Sequence, residues 1–209
     1  MRARDGAGRR IVLVRHGETE GQSSIRFHGR NDVPLSDLGR AQIRRLVPLL
    51  REERFAALVA SPLSRARESG ELLRAGLRLP PAVFEEEPAF AEVWFGAIEG
   101  LSEPEIAAAH PDWYAAWKRG AVHGYPGGET FAGFAARVES GFRAMLARHQ
   151  AGDLLVVAHR GVIKWGLRYL LGWDEAEAAR RGVALGSVTE VSLGGSAELV
   201  RWNVLPPEA

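Results

Sequence analysis

The chain has 209 residues, 46% of them hydrophobic, and 27 Lys and Arg nearly cancel 26 Asp and Glu to leave a formal charge of +1. That length suits one α/β domain with a sizeable core, and the balanced charge argues against a nucleic-acid partner. Without cysteine there are no disulfides, no thiol catalysis and no Cys-ligated zinc.

Residues 1–10 are basic and read as a disordered N-terminal segment, with one domain over 11–209. The apolar run behind them is too short for a signal peptide or a membrane span, so a soluble, cytoplasmic protein with no membrane partner is expected. Ile11-Val12-Leu13-Val14 reads as a short buried strand. It stops on Arg15-His16-Gly17, a combination that core packing does not ask for. Gly17 lets the backbone turn tightly and approach a ligand. A polar, Gly-rich loop from Gly21 to Pro34 carries Arg26, Phe27, His28, Gly29 and Arg30. Ser36 reads as the N-cap of a helix reaching about Arg54, kinked or interrupted at Pro48.

Residues 57–60 form a second buried strand. Ser61-Pro62 is expected to open a helix to about Leu77, with Arg65 in its first turn. Pro80-Pro81 breaks the chain before a third strand at 82–84. Residues 85–130 are irregular and read as a cap-like insertion over the sheet edge. They hold a helical patch at 103–109 and the aromatics Trp113, Tyr114 and Trp117. A long helix follows from Glu129 to about Gln150. A fourth buried strand at 154–158 ends, like the first, on polar residues: His159, Arg160 and Gly161. Helices at 162–171 and near 174–181 follow. Residues 187–193 and 198–204 alternate as a closing hairpin that turns at Gly194-Gly195. Strands alternating with helices predict a three-layer α/β/α sandwich with a mostly parallel central sheet and the last strands as a hairpin.

Strand ends on one edge of a parallel sheet converge in space, and ligands bind there. Arg15, His16, Arg65 and His159 are thereby expected to surround one dianion. Arg supplies a planar fork for phosphate, and a histidine with one unprotonated nitrogen can attack phosphorus. Taken singly, Arg65 reads as a solvated arginine and His159 as a hydrogen-bonded core histidine. Their joint placement carries the argument.

The stretch 13–19, Leu-Val-Arg-His-Gly-Glu-Thr, resembles the signature of the histidine phosphatase superfamily, the phosphoglycerate-mutase-like proteins. Four further segments match that pattern: 29–36; 58–66; Glu92 with Phe95-Gly96 and Glu99-Gly100; and Pro126-Gly127-Gly128-Glu129-Thr130. His159 with Gly161 resembles its closing motif, so the resemblance spans about 11–205. It implies His16 as nucleophile, passing through a phosphohistidine. Arg15, Arg65 and His159 would bind the phosphoryl oxygens. Glu92 would protonate the leaving alcohol and then take a proton from water, with Glu85, Glu86, Glu87 and Glu99 as rivals. Nearby arginines favour neutral His16 and ionised Glu92, and a bound dianion opposes both effects.

Gln22, Gly29, Arg30 and Arg160 are expected to contact phosphate or substrate. Two of these depart from the family pattern: Gly21-Gln22 stands where Trp-Asn or a similar pair is frequent, and Arg160 stands where glycine is common. The resemblance implies no metal and no cofactor. The compact length and the segment 95–100 favour the phosphatase branch, which holds α-ribazole and broad-specificity phosphatases, acting on a small phosphorylated metabolite. The alternatives are a phosphoglycerate-mutase-type transfer and a catalytically silent phospho-ligand binding module. Trp113, Tyr114, Trp117, Lys118, His123 and Tyr125 are either core or a pocket wall. His110 and His149 read as ordinary helix residues, and the sequence leaves homo-oligomerisation open.

Overall fold

The computed structural model describes residues 9–206. Six strands form one sheet: β1 (Arg10–Arg15), β2 (Phe55–Ala60), β3 (Phe84–Glu86), β4 (Asp153–Ala158), β5 (Val188–Ser192) and β6 (Glu198–Val204). Their order is β3-β2-β4-β1-β5-β6. The first four run parallel; β5 is antiparallel to β1, and β6 to β5. The mostly parallel sheet with a closing hairpin is the architecture that the alternation of elements predicts.

The helices among the described residues are α1 (Asp37–Leu50), α2 (Ser64–Gly76), α3 (Glu103–Ala109), α4 (Pro111–Lys118), α5 (Phe131–Arg148), α6 (Arg160–Leu171) and α7 (Glu175–Arg180), of which α1, α2, α5 and α6 pack on the sheet. The pleat sends alternate strand residues to opposite faces. Val12, Val14, Leu58 and Leu155 pack on Ile43, Leu46 and Leu73 of α1 and α2. Ile11, Leu13, Val59 and Val156 pack on Val138, Phe142 and Leu167 of α5 and α6. These strand residues are all but inaccessible, so the sheet is buried on both sides. Among the described residues no helix is long and apolar enough to cross a membrane.

Several local expectations are corrected. Residues 1–8 of the segment read as disordered lie outside the described residues, but Arg10 begins β1. Its guanidinium donates to Asp153, Glu53 and Glu190, partners far away in sequence. Pro48 does not interrupt α1: it lies in the last turn, two residues before the end at Leu50, where the donor it lacks serves one hydrogen bond only. Ser36 caps α1 as expected, accepting from Gly39 N at 3.1 Å. Helix α2 opens at Ser64 rather than Ser61, after Leu63 in extended conformation, and the Ser61 hydroxyl is engaged with His159. The third strand starts at Phe84, since Pro81–Val83 form a 3-10 turn. Gly17 answers to close packing: a Cβ there would lie 2.3 Å from the Gly39 carbonyl oxygen, so glycine lets the loop after β1 dock on the start of α1.

Candidate active site

The carboxyl ends of β1, β2 and β4 deliver the polar groups to one place. Arg15 is the last residue of β1 and His16 follows it; Arg65 lies in the first turn of α2; His159 precedes α6. Glu92 comes from the irregular stretch after β3. Arg15, His16, Arg65, Glu92, Gly29 and Arg160 line a cavity of roughly 560 Å³. His159 sits behind it, fully buried, with its ring centroid 5.0 Å from that of His16.

His16 Nδ1 is 2.7 Å from the Gly17 carbonyl oxygen. A carbonyl can only accept, so Nδ1 carries the proton and Nε2 keeps its lone pair. Burial first, and then the Arg65 and Arg15 charges, push the His16 pKa well below its ordinary value. The ring is thus neutral at physiological pH; the expected arginine effect is present, second to desolvation. His159 is held neutral by the same causes, burial leading. Its Nε2 meets Ser61 Oγ at 2.7 Å.

Both arginines are placed by backbone carbonyls. Arg15 Nη1 donates to Val183 O at 2.7 Å. Arg65 donates to Asn31 O at 2.8 Å and to Gly29 O at 2.6 Å. Gly29 has φ of 54°, and a Cβ there would lie 2.3 Å from Glu99 Oε1, so glycine keeps this support in position. Carbonyls orient a guanidinium without neutralising it. Burial pulls the Arg15 pKa down to about 10, against the raising effect of Glu92. Arg15 Nε, Arg65 Nε and His159 Nδ1 are buried without a hydrogen-bond partner, and such groups call for an explanation. Arg15 and Arg65 line the cavity, and His159 lies directly behind it.

Glu92 is held by two backbone donors, Val93 N and Gly161 N, each at 3.0 Å. Its rivals are engaged or distant. Glu85 pairs with Arg148 and His149, Glu87 with Arg148, and Glu99 accepts from Arg30 N and Phe95 N. None of these, nor Glu86, lines the cavity.

Two expected phosphate contacts lie apart from it. Gln22 is exposed and shapes a turn, at φ 61°, donating to Thr19 O. Arg30 turns toward Glu129, 3.7 Å away, and lies outside the cavity lining. In their place Ser23, Ser24 and Arg26 line the wall. Arg26 is fixed by Gly100 O and Glu105, each at 2.8 Å. Sequence reading passed over the two serines, which a polar Gly-flanked loop does not distinguish from solvent-facing residues. It also missed Ser61, whose one signal was its place beside Pro62.

The aromatic group divides. Trp117 and Tyr125 line a second cavity of roughly 430 Å³. Trp113 stacks on Trp117 at 5.6 Å. Tyr114 and Lys118 bind Glu103 at 2.7 and 3.1 Å. His123 lines a further cavity, of roughly 570 Å³.

The carboxyl edge of the mostly parallel sheet thus brings two arginines and two histidines together beside Glu92, the edge at which ligands bind in open α/β sheets. Residues 11–205 match the histidine phosphatase superfamily (branch 1), and the chain belongs to that superfamily. The adenosylcobalamin/α-ribazole phosphatase of Salmonella typhimurium is 32% identical over 163 residues, 78% of this chain and 79% of that protein. The structure of the α-ribazole phosphatase from Shigella flexneri aligns with a TM-score of 0.83 at 28% identity, covering 96% of this chain and all of the other. A mycobacterial glucosyl-3-phosphoglycerate phosphatase aligns at 0.82 and 27% identity, covering 94% and 99%. The chain spans 45% of the length of a bifunctional Mycobacterium tuberculosis protein that it matches at 33% identity.

Proposed function

We propose that the chain is a metal-independent phosphomonoester hydrolase that acts through a phosphohistidine at His16 Nε2. The observation that carries this reading is the 2.7 Å contact of His16 Nδ1 with the Gly17 carbonyl, which leaves Nε2 unprotonated beside two buried arginines. Nε2 attacks phosphorus and forms the N–P bond as the ester P–O bond breaks. Glu92 gives its proton to the leaving oxygen, so the alcohol departs neutral. Arg15, Arg65 and His159 stabilise charge on the transferring phosphoryl oxygens. Water then attacks phosphorus, Glu92 takes its proton, the N–P bond breaks and phosphate leaves. The site suits a small phosphorylated metabolite, as do the named substrates of its relatives.

The test is release of phosphate from an aryl phosphate, with chelator present, by wild type, His16→Ala and Glu92→Gln. Wild-type turnover and a loss of about 10⁴-fold or more in His16→Ala are expected, by analogy with removal of other nucleophiles. Glu92→Gln should lose more on an alkyl ester than on the aryl ester, whose leaving group needs less protonation. An inert wild type that still binds phosphate makes the chain a binding module, and return of the group to a second hydroxyl of the same molecule makes it a mutase.

A further inference from the structure

Glu92 borders two cavities. One is the pocket of arginines and histidines; the other, of roughly 430 Å³, is walled in part by residues of α4, α5, α6 and α7 and shares Phe27, Glu92, Phe95, Glu103 and Arg160 with the first. In an in-line displacement the leaving oxygen lies opposite the attacking atom. An acid that protonates this oxygen therefore marks the side on which the alcohol sits. Glu92 lines the second cavity as well as the first.

Two kinds of surface meet there. Phe95, Tyr125 and Trp117 make an apolar wall, the first two edge to face with centroids 4.7 Å apart. Along α6, Arg160, Lys164 and Arg168 recur every fourth residue, on one face of the helix. Arg168 is engaged, 3.8 Å from Glu175 and stacked over Trp165 at 4.0 Å. Glu103 on the same rim is tied to Tyr114 and Lys118. Arg160 forms no ion pair among the described residues. Lys164 is half buried one turn further on; burial, and then the Arg160 charge, push its pKa down to about 8. Arg160 and Lys164 thus put two cationic side chains one turn apart on the lining of this cavity.

We propose that this second cavity is the leaving-group subsite, and that it selects phosphomonoesters whose alcohol carries a flat apolar group and a second anionic group. The apolar part lies on Phe95, Tyr125 and Trp117, and Arg160 and Lys164 hold the second anion. The proposal rests on the phosphohydrolase reading, since it takes Glu92 as the proton donor.

Binding of non-hydrolysable phosphonates tests the subsite without turnover. Titration calorimetry would compare methylphosphonate, phenylphosphonate and the meta- and para-carboxyphenylphosphonates on wild type, Lys164→Met and Arg160→Met. Phenylphosphonate should bind about tenfold more tightly than methylphosphonate, from apolar area removed from water. One of the carboxylates should add about tenfold again, the size of a charge-assisted contact. Each methionine variant should lose most of that second gain and keep the first. Equal binding of methyl- and phenylphosphonate overturns the apolar assignment. No gain from either carboxylate, or a gain that survives both substitutions, overturns the anion assignment. Failure of both methylphosphonate and inorganic phosphate to bind wild type overturns the phosphohydrolase reading itself, and the subsite with it.

Discussion

Strand β1 carries an arginine at each end, and the two live in opposite electrostatic worlds. Arg10 is met by three carboxylates, Glu53, Asp153 and Glu190, and Arg201 extends the network through Glu190 at 3.1 Å. Burial pulls the Arg10 pKa down, but hydrogen bonds to the three carboxylates more than offset it, and the net shift is upward. Arg15, half-buried at the cavity, is held by a carbonyl oxygen, with desolvation winning and its pKa lowered. A buried charge whose counter-charges come from the chain holds the fold together. A buried charge positioned by neutral acceptors needs a counter-charge from elsewhere. The amino edge of the sheet is electrostatically complete, whereas at the carboxyl edge Arg15 is held by a carbonyl oxygen and forms no ion pair among the described residues.

The largest effect that sharpens this contrast is on stability. Arg10→Met leaves the buried Glu190 and the half-buried Glu53 and Asp153 short of their main cation, and removal of one partner from a buried network costs about 3–5 kcal/mol. Chemical denaturation should show that loss, while turnover per folded molecule stays within about twofold of wild type. Turnover that fell further than the folded fraction would break the division between the two edges.

Next in size is the converse. Arg15→Met should lower kcat/KM by about 10²–10³-fold, the range for loss of one preorganised donor to a developing oxyanion. Its unfolding midpoint should stay within about 1 kcal/mol of wild type, because no carboxylate is abandoned when the cation goes. A stability loss as large as that of Arg10→Met would mean that Arg15 is part of the scaffold.

The same contrast separates what the sequence disclosed from what it did not. The carboxyl edge was legible because its polar residues interrupt apolar runs: Arg15-His16 after Val14 and His159 after Ala158 stand out against residues that a core would prefer. The central strands were legible for the same reason, being short apolar runs buried on both faces. The amino edge was not legible. Arg10 reads as part of a basic tail until the fold brings up Glu53, Asp153 and Glu190, which no local pattern connects to it. Ser61 failed similarly. Beside Pro62 it looks like a helix start, yet its hydroxyl is engaged by His159, 98 positions away. Gln22 and Arg30, expected to contact phosphate, do not line the cavity: Gln22 shapes a turn and Arg30 lies 3.7 Å from Glu129.

The smallest effect concerns pH, and it tests the neutral histidines on which the nucleophile argument depends. Burial holds both His16 and His159 well below their ordinary pKa in the folded chain, and His28 shifts in the same direction. In the unfolded chain each titrates near about 6.5. Below that pH the unfolded state takes up protons that the folded state refuses. The stability these rings contribute is therefore complete above about pH 6.5 and drains away as pH falls, at up to about 1.4 kcal/mol per pH unit for each ring. Denaturation midpoints followed from pH 7 to pH 5 should show this slope in wild type, and a slope smaller by one ring's share in His16→Asn. If His16→Asn leaves the slope unchanged, His16 is not held neutral by its burial, and the lone pair assigned to Nε2 loses its physical basis.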